Sequence, residues 1–220
     1  EEVAIMREGG KKLAFVRKGL EEKIAEGISA MEIEELANDL IEQSGAEAAF
    51  KKVPGYSWAT CVNVNEGVVH GIPKKETIFK KGDLVSVDVG VYYEGFYTDT
   101  STTVLVGSDK DKKKFLDTGR AALQAAIAQV QIGNSVVDIS AAMENTLVDA
   151  KLTPIEALTG HGVGRQLHEE PYIPCFVRGS RGKQIEIQEG MVFAIEVMYT
   201  QGGPDIEVEA DGWTIRTKDG

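Results

Sequence analysis

Residues 80–90 read KKGDLVSVDVG, a charged turn with a glycine that leads into alternating polar and β-branched residues. Such alternation predicts a β-strand with one buried face. Asp88 interrupts the apolar part of this strand, where an unpaired carboxylate would be expensive to desolvate. The stretch therefore predicts a strand in which the Asp88 carboxylate either pairs with a cation or takes part in the protein's chemistry.

A second stretch repeats this pattern about a hundred residues later. Residues 187–197 read IQEGMVFAIEV, and at an offset of 108 Gly82 falls on Gly190 and Asp88 on Glu196. Two copies packed around a pseudo-twofold axis would bring both carboxylates together, and convergent carboxylates attract a cation. An inward salt bridge or a chance similarity is the alternative interpretation.

The segments before each strand repeat as well. Helical spacing of apolar residues predicts two successive helices, the second capped by Ser29, and about a hundred residues later a helix at 112–130 precedes another that Ser135 caps. We therefore predict an α+β fold whose two halves, at about 1–106 and 107–220, share one sheet and one core.

Asp99 is the second candidate carboxylate. It lies in GFYTDTSTTVLV, eleven residues after Asp88, and Glu94-Gly95 between them predicts a hairpin turn. Asp88 and Asp99 would then occupy adjacent antiparallel strands. Neighbouring carboxylates repel each other unless one is protonated or a metal ion neutralises them. Taken alone, Asp99 would fit a local Asx turn better.

The chain has three histidines, His70 in NEGVVHGIP and His161 and His168 in TGHGVGRQLHEEP. A phosphate loop is a weak interpretation of the second stretch, because it lacks a Walker lysine and the GxGxxG order. A single histidine is more often a surface or core residue than a ligand. Flanking glycines, however, allow the imidazole of His161 to project from a tight loop into a cavity.

His161 completes a mixed donor set with the carboxylates of Asp88, Asp99 and Glu196. Three oxygen donors and one nitrogen donor suit Mn²⁺, Fe²⁺, Co²⁺ or Zn²⁺ better than a thiolate-type structural zinc site. Because several carboxylates can bridge, two metal ions fit this set.

The composition limits the classes of partner. The chain has 220 residues and a net charge of −11, so a nucleic-acid duplex or a membrane surface is a poor main partner. Cys61 and Cys175 are far apart, which argues against a disulfide framework and fits a reducing compartment. We therefore expect a cytoplasmic protein.

NEGVVHGIP, VSVDVG, GFYTDTS, GHGVGRQLHEEP and MVFAIEV resemble, in order and spacing, the motifs of type I methionine aminopeptidases, the pita-bread metallopeptidases. The resemblance covers about residues 6–220. It implies one catalytic domain, with an antiparallel curved sheet covered by two pairs of helices. It also implies removal of the N-terminal methionine from nascent polypeptides, before a small second residue, by water that two divalent metal ions activate. A monomer that works at the ribosome is the corresponding expectation.

The resemblance assigns the metal ligands residue by residue. Asp88 would chelate one ion, and Asp99 would bridge both. His161 and Glu196 would hold the other ion, with Glu196 also moving a proton of the attacking water.

The substrate contacts follow in the same way. His70 would contact the substrate near its terminal amine and the leaving group. His168 would donate a hydrogen bond to the scissile carbonyl or the tetrahedral intermediate, a role that strongly stabilises a transition state. The methionine side chain would contact Phe50, Val53, Tyr56, Leu167 and Trp213. Core packing is an equally good interpretation of Phe50 and Val53.

Two departures from the family pattern keep alternatives open. Val197 follows Glu196 where many relatives have proline. The family's fifth ligand, a glutamate on a terminal strand, has no counterpart, because Glu207 and Glu209 lie too early. We expect a truncated C-terminus. The alternatives are an Xaa-Pro aminopeptidase or dipeptidase of the same fold, and a non-catalytic peptide-binding module if the fifth ligand is truly absent.

Overall fold

Two pairs of helices alternate with antiparallel strands in a computed structural model of the chain, which describes residues 1–177 and 185–220. The helices are α1 (Glu2–Lys23), α2 (Ala30–Gln43), α3 (Lys110–Ala128) and α4 (Val136–Asp149). The strands are β1 (Glu47–Ala48), β2 (Thr60–Val64), β3 (Gly67–Val69), β4 (Leu84–Tyr93), β5 (Phe96–Leu105), β6 (Thr153–Pro154), β7 (Thr159–Gly162), β8 (Glu169–Pro174), β9 (Phe193–Ala194), β10 (Tyr199–Thr200), β11 (Ile206–Val208) and β12 (Ile215–Thr217). Neither described range contains a helix long and apolar enough to cross a membrane.

The second helix of each pair begins at the predicted serine cap. The Ser29 hydroxyl accepts a hydrogen bond from the N–H of Glu32 at 3.2 Å, and the Glu32 carboxylate accepts one from the N–H of Ser29 at 2.9 Å. At the start of α4 the Asp138 carboxylate likewise accepts from the N–H of Ser135 at 2.7 Å. These reciprocal bonds satisfy donors that a helix start leaves open. The predicted helices are therefore confirmed.

Residues 1–112, 164–167 and 208–216 form one compact unit, called the first unit below. Its central strand is β4, which pairs with β5 on one side and with β2 and β1 on the other. Helix α1 packs across β4 and β5, and α2 packs against α1. The β4 residues that face the resulting core are Val85, Val87, Val89 and Val91. Because side chains alternate along a strand, Asp88 lies on the opposite face.

Residues 113–163, 168–207 and 217–220 form the second unit. In this unit β7 lies between β8 and β9, and helix α4 packs on β6 and β8. The division into halves related by symmetry stays a prediction, because compactness does not test symmetry.

Residues 187–197 are predicted to run from a turn at Gly190 into a strand that includes Glu196, and this strand is shorter than predicted. Only Phe193 and Ala194 pair as β9, and Glu196 lies beyond its end. The backbone around Glu196 is bonded elsewhere: the Cys175 thiol donates to the carbonyl of Glu196 at 3.0 Å and accepts from the N–H of Met198 at 3.4 Å. The Cys175 thiol thus forms the backbone hydrogen bonds that a neighbouring strand would have formed here.

Candidate active site

Asp88 and Asp99 lie on one face of the β4–β5 hairpin. Asp88 is opposite Ser101 and Asp99 is opposite Gly90, so the two carboxylates are diagonal neighbours on adjacent strands. The turn residues Glu94 and Gly95 have φ values of 46° and 92°, which a two-residue hairpin turn with right-handed twist requires. The turn fixes the register, and the register places both carboxylates. Their predicted position on adjacent strands is confirmed.

The hairpin carboxylates create a negative potential that reaches the neighbouring strand. Cys61 of β2 is opposite Asp88. Burial raises the pKa of the Cys61 thiol far above its ordinary value, and the charges of Asp88 and Asp99 raise it further, against a hydrogen bond from Tyr56. A potential that opposes thiolate formation at this point favours a bound cation.

His70 lies just after β3 with a positive φ of 57°. The following Gly71 has no room for a side chain, since a Cβ there would overlap the carbonyl of Val62. The His70 ring faces the Trp213 ring edge-on, with centroids 6.5 Å apart. Although the residue is exposed, partial desolvation of its ring lowers the pKa of His70, and the charge of Asp99 opposes this. His70 is therefore within electrostatic reach of the hairpin carboxylates.

An aromatic and apolar cluster lies in the same unit. The Tyr56 ring packs edge-on against Trp58 and Trp213, with centroid distances of 5.3 and 5.0 Å. Leu167 reaches the cluster on a short segment whose Gly164 carbonyl accepts a hydrogen bond from the N–H of Tyr97 at 2.7 Å. The structure brings together all five residues predicted for the methionine pocket, which are Phe50, Val53, Tyr56, Leu167 and Trp213.

The sequence interpretation missed Trp58 and Cys61 in this cluster. Cys61 lies on β2, which pairs with β4, so a prediction that paired these two strands would have placed it beside the carboxylate strand. Trp58 carries no comparable signal, since it precedes β2 in an irregular segment.

In the second unit His161 is buried on β7 beside Glu196. The Nδ1 atom is 2.8 Å from the carbonyl of Gly162, and because a carbonyl only accepts, Nδ1 carries a proton and donates this bond. Nε2 is 3.3 Å from Oε1 of Glu196. The ring of His168 packs edge-on against His161, with centroids 4.4 Å apart. Nε2 and the Glu196 carboxylate can share a proton or a metal cation, and the Nδ1 hydrogen bond orients the imidazole toward that carboxylate.

The glycines beside His161 allow two neighbouring segments to approach it. A Cβ on Gly160 would lie 2.5 Å from the carbonyl oxygen of Ala194 and 3.1 Å from the amide nitrogen of Glu196. A Cβ on Gly162 would lie 2.5 Å from the carbonyl oxygen of Glu170. The glycines of this stretch therefore provide space for close backbone packing, and not a phosphate cradle.

The donor types fit divalent metal ions in both units. Carboxylate oxygens and a tautomer-fixed imidazole nitrogen are ligands of Mn²⁺, Fe²⁺, Co²⁺ and Zn²⁺. Within residues 1–177 and 185–220, no group of three or more His, Cys, Asp or Glu side chains forms a ready metal cluster. The four-residue ligand set therefore stays a prediction, supported by one donor pair in each unit.

Comparisons with known proteins identify the class. Residues 4–219 match metallopeptidase family M24. A methionine aminopeptidase of Borreliella burgdorferi is 38% identical over 220 residues, which cover 100% of this chain and 87% of the relative. A crystal structure of methionine aminopeptidase from Thermotoga maritima superimposes with a TM-score of 0.95 at 39% identity, covering 99% of this chain and 87% of that one. The chain belongs to metallopeptidase family M24.

A more distant similarity is limited to the fold. Prolidase from Pyrococcus furiosus has a TM-score of 0.73 at 23% identity, over 89% of this chain and 55% of that one. The predicted resemblance to type I methionine aminopeptidases and the α+β, pita-bread fold class are confirmed. Membership of the family implies the use of a divalent metal ion.

Proposed function

We propose that this protein releases N-terminal methionine from polypeptides by metal-dependent hydrolysis. The observation that supports this proposal most strongly is that the chain belongs to a metallopeptidase family and holds two pairs of candidate metal ligands. Asp88 and Asp99 are diagonal neighbours on one hairpin face, and Nε2 of His161 is 3.3 Å from Oε1 of Glu196. The predicted class, a metal-dependent aminopeptidase, is confirmed by relatives named methionine aminopeptidase that match the chain over its full length.

We assign the metal ligands to Asp88, Asp99, His161 and Glu196, and we propose that they hold two ions of Co, Mn, Fe or Zn. When bound, the ions would activate water and neutralise developing negative charge. Asp88 and Asp99 contribute hard oxygen donors whose mutual repulsion a cation relieves. His161 would contribute its Nε2 atom, which the Nδ1 hydrogen bond holds toward Glu196. The Glu196 carboxylate would then accept the proton of the attacking water.

The aromatic cluster is the proposed site for the methionine side chain. Its rings and its apolar residues match a flexible, polarizable thioether, which packs well against aromatic edges. His70, whose ring faces Trp213 of this cluster, would contact the substrate near its amine and the leaving group. His168, whose ring contacts His161, would donate a hydrogen bond to the scissile carbonyl or the tetrahedral intermediate.

We place this activity in the cytoplasm, on nascent chains at the ribosome, with the protein acting as a monomer. The net charge of −11 supports a substrate other than a nucleic acid, because phosphate recognition needs a positive footprint.

Metal depletion and add-back tests the reaction. We expect chelated protein to be inactive, and Mn²⁺ or Co²⁺ to restore release of methionine from Met-Ala-Ser but no cleavage of Ala-Pro-Ser. Cleavage of the Ala-Pro bond without methionine release would favour the Xaa-Pro alternative, for which the prolidase similarity supports the fold alone. Metal-independent peptide binding without any hydrolysis would favour the non-catalytic module.

The roles of individual residues can be separated. We expect Asp99→Asn to lower kcat/KM by at least about 100-fold and to reduce metal content, while Glu76→Gln, an exposed carboxylate in the same unit, should change neither. His161→Ala should behave like Asp99→Asn. His168→Ala should lower kcat with metal content retained, so equal loss of both would contradict its role at the substrate.

A further inference from the structure

Lys74 connects the loop after His70 to a segment far away in the sequence. Its Nζ is 2.9 Å from Oδ2 of Asp211 and 3.7 Å from Oε2 of Glu209, and the Lys74–Asp211 pair spans 137 residues. Both carboxylates belong to the segment 208–216, which is part of the first unit. This contact is separate from the donor pairs described above.

Asp211 organises the turn that carries Trp213. Its Oδ1 accepts hydrogen bonds from the N–H groups of Trp213 and Thr214 at 3.0 and 2.8 Å. Its Oδ2 accepts from the Thr214 hydroxyl at 2.8 Å, and that hydroxyl accepts from the N–H of Ile72 at 3.3 Å. One carboxylate therefore ties the turn internally, and Lys74 and Ile72 tie the turn to the loop after His70.

The charge of Asp211 is well stabilised. Burial alone would raise the pKa of Asp211, but hydrogen bonds from Lys74, Thr214 and Trp213 outweigh burial and hold the pKa well below its ordinary value. The side chain of Asp211 is 16% exposed and that of Lys74 43%. Solvent screens such a pair less than a fully exposed one, and a networked carboxylate is better ordered than an isolated ion pair.

Trp213 is held from both sides along the chain. On the C-terminal side Ile215 pairs with Val69 in the β12–β3 ladder. On the N-terminal side the Asp211 network holds the turn. The indole itself contacts the Tyr56 ring, and its Cζ2 is 3.5 Å from the point where a Cβ on Gly55 would lie. The turn is also closed by backbone bonds from the N–H of Glu209 to the carbonyl of Thr214 at 2.8 Å and from the N–H of Gly212 to the carbonyl of Glu209 at 3.0 Å. The Asp211 network adds the side-chain bonds that join this turn to the loop after His70.

We propose that Lys74 is a positioning residue that, through its ion pair with Asp211, fixes the Trp213 wall of the methionine pocket. This inference rests on the proposed function, since it takes Trp213 as part of the pocket. Removal of the ammonium leaves the β12–β3 ladder and every proposed metal ligand in place. The wall loosens, and binding of the methionine side chain weakens while the reacting groups are unchanged.

The first experiment compares Lys74→Met with Lys75→Met, a matched removal of the adjacent exposed lysine. We expect Lys74→Met to raise KM for Met-Ala-Ser about fivefold, which corresponds to about 1 kcal/mol, and to leave kcat within about twofold. Lys75→Met should change neither value, and Lys74→Arg should restore most of the affinity. An unchanged KM in Lys74→Met would overturn the proposal, as would a loss of kcat at constant KM, because that pattern indicates lost folded protein.

The second experiment does not require activity. Trp58 and Trp213 are the two tryptophans, so a Trp58→Phe background makes Trp213 the only tryptophan reporter. We expect Lys74→Met to increase acrylamide quenching of Trp213 about twofold, approaching that of an open indole, whereas Lys75→Met leaves it unchanged. Equal quenching in all three proteins would overturn the proposal. If Lys74→Met increases the quenching of Trp213 in the Trp58→Phe background but the wild-type protein releases no methionine, the proposed function is refuted and the positioning role stands.

Discussion

The two donor pairs are held in different ways. Asp88 and Asp99 lie on ten-residue strands that pair continuously from Leu84–Leu105 to Tyr93–Phe96. His161 lies on a four-residue strand, and Glu196 lies in no strand at all. A ladder distributes positional control over many equivalent hydrogen bonds. The His161–Glu196 pair depends on a few individual contacts, so single substitutions should damage it far more.

The largest expected effect is at Gly160. Its replacement by alanine places a Cβ against the Ala194 carbonyl and the Glu196 amide, so the Glu196 segment must move away from His161. We expect Gly160→Ala to lower kcat/KM by about 100-fold and the free energy of unfolding by about 2–4 kcal/mol. Steady-state kinetics and urea denaturation measure the two quantities.

Gly10→Ala is the matched control in the first unit. Gly10 lies inside α1, and a Cβ there would meet nothing within 4 Å. Alanine is a better helix former than glycine, so the free energy of unfolding of this variant should rise by up to about 1 kcal/mol while its kinetics stay unchanged. A Gly160→Ala protein as active as Gly10→Ala would show that the close approach of these segments does not position Glu196.

The second-largest expected effect tests whether the β4–β5 hairpin holds Asp88 and Asp99 independently of its neighbours. The carboxylate of Glu34 is buried on α2 and accepts hydrogen bonds from the N–H of Ala59 at 2.8 Å, the N–H of Thr60 at 2.9 Å and the Thr60 hydroxyl at 2.7 Å. It therefore anchors the start of β2. We expect Glu34→Gln to cost about 2–3 kcal/mol of unfolding free energy, because an amide leaves some of these donors unsatisfied.

Activity per folded molecule should nevertheless change little in Glu34→Gln, since the β4–β5 register does not depend on this anchor. The exposed neighbour provides the control, and Glu35→Gln should alter neither stability nor activity. A large loss of kcat in folded Glu34→Gln protein would mean that the hairpin carboxylates are not positioned by their own ladder.

The smallest effect concerns the thiol that replaces a strand beside Glu196. Burial raises the pKa of Cys175 to about 12, so the thiol is protonated and donates to the Glu196 carbonyl. We expect Cys175→Ala to cost about 1 kcal/mol and Cys175→Ser less, because a hydroxyl retains one donor and one acceptor. Denaturant titration ranks the variants, and equal losses would indicate that volume, and not hydrogen bonding, matters at this position.

The hairpin and the helix caps were predictable because their signals are local. The dipeptide Glu94-Gly95 predicts a two-residue hairpin turn, and the alternation of residue types predicts the strand on each side of it. The turn in turn fixes the register between the two strands. Ser29 and Ser135 stand three residues before an acidic residue, as reciprocal caps require. Each of these features is encoded within a few residues.

The surroundings of Glu196 were not predictable in the same way. The alternation at 187–197 is a correct signal for an extended chain, but Cys175, 21 residues away, takes the backbone groups that a strand would use. The Lys74–Asp211 pair spans 137 residues, and either charge alone is typical of a solvated surface. Long-range contacts of single side chains leave no periodic pattern in the sequence.

The two-residue turn of the β4–β5 hairpin also has a consequence for the order of folding. Closing so short a loop costs little chain entropy, and isolated hairpins form in about 1–10 μs. Synthesis proceeds from the N-terminus at about 5–20 residues per second, so residues 84–105 can close as a hairpin seconds before residue 161 is made. Asp88 and Asp99 can therefore become neighbours early in synthesis. The His161–Glu196 pair can form only after residue 196 has been made.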